Sequence, residues 1–207
     1  MSPNDRTDVD ISQVRFVTAD GVEITGDLAE PATCRAAAIV CHPHPQYGGN
    51  RYNNVVEAIF GALPGAGVGA LRFDFRREFG GGIDERLDAI AALDHLHETH
   101  LERPLFAIGY SFGAMVALSL SDDRLHGKAL VAPPLGAMDA APAMDTPTLV
   151  LSPVADQFAP PDVARPIVAD WPSSVFEVVE STDHFLTGRT AIVAQRIVEW
   201  IDDRLAD

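Results

Sequence analysis

Six short, mostly apolar runs at 36–41, 68–73, 105–109, 128–132, 148–152 and 174–179 alternate with segments of helical spacing, and this alternation leaves the chain few folds to choose from. Strands covered on both faces by crossover helices read as nearly unbroken hydrophobic stretches, because neither side of the sheet meets water. Helices are expected near 53–63, 84–97, 112–120, 161–170 and 189–205. In the second, Leu87, Ile90, Leu93 and Leu96 recur at three-residue steps; in the last, Ile192, Val193, Ile197, Trp200 and Ile201 form one apolar stripe. Strand, helix, strand throughout predicts an α/β fold, a mostly parallel sheet with helices on both faces. Residues 14–29 differ, alternating apolar and polar (Val14, Phe16, Val22, Ile24) around Asp20-Gly21, a dipeptide of tight turns. An antiparallel N-terminal hairpin should therefore precede the parallel part.

With 207 residues, 47% of them hydrophobic, the chain can fill one sizeable core. No repeat, low-complexity tract or long linker divides it, so a single domain is expected over 13–207, after a flexible tail at 1–12. Thirty acidic against fifteen basic side chains leave a formal charge of −15, which repels nucleic acid and anionic lipid. Neither is an expected partner. The opening MSPNDRTDVD has neither a basic start nor an apolar stretch, which argues against a secretory signal and for a cytoplasmic protein. The uncharged segment 105–120 is shorter than the ~20 residues of a membrane span and is interrupted by Gly109, Ser111 and Gly113. Cys34 and Cys41 suggest neither a disulfide framework nor a metal site.

The most informative motif is Gly109-Tyr110-Ser111-Phe112-Gly113, which falls where an apolar strand runs into a helical segment. A serine on such a strand-to-helix turn has its hydroxyl exposed, and small residues two positions to either side let strand and helix approach. Ser111 is the candidate nucleophile, with Gly109 and Gly113 as the elbow glycines.

A serine hydroxyl needs a neighbouring imidazole to take its proton. Of the seven histidines, His95, His97 and His100 lie along a polar helix face without converging, and His126 lies in a charged loop, 122–128. His184 follows the last strand and precedes the last helix, at the sheet end where loops gather around one crevice. It is the candidate base. The acid should follow the preceding strand, and Asp156 is the first carboxylate there; Asp183 and Asp162 compete, the first adjacent to His184 in the chain, the second at a helix start after Pro160-Pro161. The order Ser, Asp, His matches a nucleophile-elbow hydrolase.

The run 36–41 ends in His42-Pro43-His44-Pro45-Gln46-Tyr47-Gly48-Gly49-Asn50, the loop that should give one backbone donor to an oxyanion, the amide of Phe112 being the other. Pro43 and Pro45 carry no amide hydrogen, which leaves His44, Gln46 and Tyr47, with His44 favoured. Two histidines at i, i+2 without a third ligand make no convincing metal site, and His42 reads as a structural tie for the loop. No cofactor and no metal are expected.

CHPHPQYGGN, ALRFDFR, GYSFGAMVAL, LVAPP, VADQFAPP and STDHF, in this order over about 13–202, resemble small bacterial α/β-hydrolases loosely related to dienelactone hydrolases and short esterases. The resemblance implies the α/β-hydrolase fold and a triad of Ser111, Asp156 and His184 acting on esters. After Arg76 the chain departs from that pattern: relatives continue arginine, glycine, variable, glycine, whereas here Arg77-Glu78-Phe79 precede Gly80. Dienelactone hydrolases carry a cysteine at the elbow, so the serine argues against that reaction.

The connections leave no room for a lid domain, which points to an open site for a small-molecule carboxylic ester. Arg51, Arg76 and Arg77 are candidates to bind a substrate carboxylate, in competition with pairing to local acids. The alternatives to an esterase are a non-catalytic ligand-binding member of the fold and an acyltransferase or thioesterase using the same three residues.

Overall fold

A computed structural model describes residues 9–100, 102–136 and 145–206. Among them, eight strands form one sheet: β1 (Asp10–Val17), β2 (Glu23–Glu30), β3 (Ala36–Cys41), β4 (Val68–Phe73), β5 (Leu105–Tyr110), β6 (Leu125–Val131), β7 (Thr148–Ala155) and β8 (Ser174–Asp183). Their order is β1-β2-β4-β3-β5-β6-β7-β8. The β1/β2 and β2/β4 pairs are antiparallel and every later pair is parallel. The helices are α1 (Asn54–Ala62), α2 (Ile83–Thr99), α3 (Phe112–Ser119), α4 (Pro161–Ala169) and α5 (Thr190–Ala206).

The sheet divides the apolar interior in two, and period-two alternation along each buried strand feeds both sides. Ala37, Ile39 and Cys41 of β3 pack with residues of α2, α3 and α4, while Ala36, Ala38 and Val40 pack with α1 and α5. Every residue of β3, β4 and β5 is buried, as their unbroken apolar runs require. The longest connection, 132–147, lies partly outside the described residues and is too short for a lid domain.

Several expectations shift in detail. The first strand begins at Asp10 and pairs Ile11 with Ala29 and Ser12 with Leu28, inside the segment expected as a tail; residues 1–8 lie outside the described residues. β8 is an edge strand, with Val175 40% exposed, rather than one buried on both faces. On α2 the buried residues are Glu85, Asp88, Ala89, Ala91, Ala92, Leu93 and Leu96, with Leu87 and Ile90 only half-buried. Three-residue steps drift around a helix of 3.6 residues per turn, and four-residue steps correct the drift. His126 stands in β6 rather than a loop, its ring edge-on to Phe106, and His100 is buried beside Glu30 rather than on a polar face. Cys41 is fully buried, which raises its thiol pKa well above the ordinary value, and both cysteines are free.

Candidate active site

β5 passes directly into α3, and Ser111 is the one residue between them. Its N–H continues the β5/β6 ladder by donating to Val131 O at 2.9 Å, while its φ of 55° turns the chain into the helix. Such a conformation is costly for a residue with a Cβ and persists only where its surroundings enforce it. Here main-chain packing does so. A Cβ on Gly109 would stand 2.1 Å from Gly113 O, and one on Gly113 would stand 2.3 Å from Cys41 O. Strand and helix meet backbone to backbone, leaving no space for even a methyl group.

On the far side of β6, the register of β7 and β8 brings the other two residues together. The ladder slips between Pro153 and Ala155, so Ala155 pairs with Asp183 and the next residues, Asp156 and His184, leave the sheet side by side. Asp156 is buried; its Oδ2 lies 2.8 Å from His184 Nδ1, and its Oδ1 accepts from the amides of Phe158 at 2.8 Å and Ala159 at 3.2 Å. His184 Nε2 lies 2.9 Å from Ser111 Oγ. The Tyr110 hydroxyl donates to His184 O at 3.0 Å, and burial together with Asp156 and Asp183 pushes its pKa up to about 12, so it stays a donor. Asp183 is used locally, its Oδ1 accepting from the Phe185 amide at 3.1 Å, and Asp162 sits in the first turn of α4. Of the three carboxylates weighed as the acid, only Asp156 reaches the imidazole.

The loop after β3 is latched at both ends to the segment after β4. His42 is buried; its Nε2 accepts from the Phe75 amide at 3.1 Å and its Nδ1 lies 2.6 Å from Pro43 O. One neutral tautomer, protonated on Nδ1, satisfies both contacts, and burial lowers the ring's pKa in favour of that form. At the other end Arg51 donates through its amide to Asp74 Oδ1 at 2.9 Å and through Nη1 to Asp74 Oδ2 at 2.8 Å. Inside the loop, Gln46 N–H points to His44 Nδ1 at 3.3 Å and Tyr47 N–H to His44 O at 3.1 Å. The His44 ring packs on Phe79 at 4.4 Å and on Phe112 at 4.9 Å. Phe79, within the 77–79 stretch that departs from the resembled pattern, thus packs beside the elbow.

Two of the three candidate arginines are taken by local acids. Arg51 pairs with Asp27 and Asp74, and Arg76 with Asp20 and Asp88; both are buried. Arg77 lines a cavity of about 460 Å³ between β2 and the loop after β4, whose walls include neither Ser111 nor His184. Sequence reasoning also passed over Lys128, buried in β6, whose Nζ donates to Leu118 O at 2.9 Å and Leu120 O at 2.6 Å and so caps the C-terminal end of α3. Burial pulls its ammonium pKa down to about 8. Its only signal in the sequence was a lone charge inside an apolar run. Among the described residues, no group of three or more His, Cys, Asp or Glu side chains could hold a metal, and no helix is long and apolar enough to cross a membrane.

No family model matches the chain. Uncharacterized protein RP471 of Rickettsia prowazekii (strain Madrid E) is 36% identical over 116 residues, 52% of this chain, and the match spans about half (48%) of that curated relative's length. An α/β serine hydrolase homologue from Coxiella burnetii superposes with a TM-score of 0.83 at 25% identity, covering 91% of this chain and 96% of its own. ATU1826 of Agrobacterium tumefaciens, a protein of unknown function considered a candidate α/β-hydrolase, gives 0.85 at 26%, covering 94% and 97%. The chain is an α/β-hydrolase superfamily protein. The same α/β-hydrolase architecture recurs in XC6422 of Xanthomonas campestris, described as a serine hydrolase without a lid, at a TM-score of 0.83 and 24% identity over 98% of this chain and 97% of that one, a likeness of fold.

Proposed function

We propose that this α/β-hydrolase is a serine esterase that cleaves small carboxylic esters through an acyl-enzyme on Ser111. The observation that carries the reading is the continuous contact from Ser111 Oγ to His184 Nε2 at 2.9 Å and from His184 Nδ1 to Asp156 Oδ2 at 2.8 Å, at a turn that exposes the hydroxyl. Ser111 Oγ attacks the ester carbonyl carbon while its proton passes to Nε2, and the Asp156 carboxylate holds the Nδ1 proton and stabilises the imidazolium. The negative charge that develops on the carbonyl oxygen is met by the amides of Phe112, at the start of α3, and His44. Gln46 and Tyr47 spend their amides within the loop, whereas the His44 amide has no hydrogen-bond partner among the described residues. Collapse of the tetrahedral adduct breaks the C–O bond, and His184 returns its proton to the departing alkoxide. Water, deprotonated by His184, then releases the acid and restores the serine.

A fluorophosphonate probe should label Ser111, and Ser111→Ala should lower kcat/KM for short 4-nitrophenyl esters by about 10⁴ or more. Robust hydrolysis by that variant would reject the mechanism. Ligand-induced thermal stabilisation without turnover would replace it with a binding role, and faster transfer to an added alcohol than to water would make the protein an acyltransferase.

A further inference from the structure

In the mechanism proposed above, the oxygen of the departing alcohol must come within hydrogen-bond reach of His184 Nε2, because that nitrogen protonates it. Whatever the alcohol carries therefore lies against the surroundings of the imidazole. Two aromatic rings stand there. Phe158 meets the His184 ring edge-on at 4.6 Å between centroids, and Phe185 does so at 5.8 Å. They come from different loops, after β7 and after β8, and each is held by its own backbone: the Phe158 amide donates to Asp156 Oδ1 and the Phe185 amide to Asp183 Oδ1. Yet the two residues are 53% and 56% exposed. Single exposed apolar side chains are ordinary, but here two exposed phenyl groups pack on the same proton-donating ring.

The charges near the site point the same way. Arg51 is paired with Asp27 and Asp74 and Arg76 with Asp20 and Asp88, Arg77 faces the separate cavity beside β2, and Arg189 lines the groove between β8 and α5. Asp183, next to the imidazole in the chain, would repel an anionic group. A leaving group that carries a carboxylate or phosphate finds no cation among these arginines, whereas a neutral aromatic one finds two exposed phenyl groups. We propose that Phe158 and Phe185 form the leaving-group subsite and that the preferred substrates are esters of aryl or arylalkyl alcohols, an inference that rests on the ester-hydrolase reading.

Benzyl and ethyl butyrate test it, because they share an acyl group and their alcohols differ little in acidity. The wild-type protein should favour the benzyl ester by about tenfold or more in kcat/KM, the scale on which apolar pockets discriminate. Phe185→Ala should lower this ratio mainly through KM, and the Phe158→Ala, Phe185→Ala double variant should bring it to about one. Phe158→Leu, which keeps an apolar prop against His184, should retain part of it. A wild-type ratio near one, or variants in which both esters fall in parallel, would overturn the subsite while leaving Ser111 chemistry intact. Failure to turn over either ester, with no fluorophosphonate labelling of Ser111, would overturn the esterase reading and the subsite together.

Discussion

Whereas Ser111 is held by main-chain packing, with the Gly109 and Gly113 backbones in contact and a φ of 55°, His184 stands at the end of an edge strand and is held by side-chain hydrogen bonds. Those bonds are few: Asp156 to its ring, the Tyr110 hydroxyl to its carbonyl, and two amides to Asp156. Packing sums many weak contacts and yields gradually, whereas a buried hydrogen bond fails when one atom is changed. On the proposed mechanism, the half that presents Ser111 should thus resist single polar substitutions, and the half that carries His184 should not.

The largest effect should come from the His184 side. Asp156→Asn replaces an acceptor by a group that favours the wrong imidazole tautomer, and kcat should fall by about 10⁴ with little change in Tm. Asp183→Asn, one residue from the same histidine, should cost no more than about threefold. Equal losses in the two variants would break the contrast and reopen the choice of acid. A smaller effect is expected at the oxyanion loop: His42→Leu removes the acceptor of the Phe75 amide and slackens the loop that presents His44. Its kcat should drop by about tenfold to a hundredfold, less than deleting an oxyanion donor outright, with KM nearly constant. Steady-state kinetics that show the loss in KM alone would remove the loop from transition-state stabilisation.

The smallest effect concerns Lys128, the buried cation that caps α3 on the serine side. Lys128 has a folded pKa of about 8 against an ordinary 10.5, so between those values the unfolded chain carries a proton that the folded chain lacks. Raising the pH through this window favours folding, and the contribution is lost below it. From pH 7.5 to 9.5 the wild type should gain about 2 kcal/mol relative to Lys128→Met, read from denaturant midpoints at the two pH values. A constant difference would mean that Lys128 keeps its proton throughout.

The central strands were legible residue for residue at 36–41 and 68–73 because helices bury both their faces, so nothing polar interrupts the run. β8 was harder to read: one face carries the exposed Val175, the half-buried Glu177 and the buried Val179, so its burial follows no clean pattern, and the segment continues to Asp183 through a slip in register that no local pattern announces. The three residues that meet at the site could be named from one pentapeptide and the order of strands, since in a parallel sheet the loops after the strands share one rim. The arginine pairs could not, because Arg76 meets Asp20 across 56 positions, and a charge alone does not say which partner the fold will bring. Phe158 and Phe185 appeared only as letters within loop motifs. Their exposure depends on how two separate loops end, which is a tertiary property.

The contact between Gly109 and Gly113 has a consequence for how such a molecule can diverge. A junction without space for a single added carbon cannot be adjusted by substitution, so inherited variation is channelled into the loops around it, at 77–82, 157–160 and 185–189. The reacting centre is thereby insulated from the surfaces that choose the substrate, and a descendant can change its preference while its chemistry stays as it was.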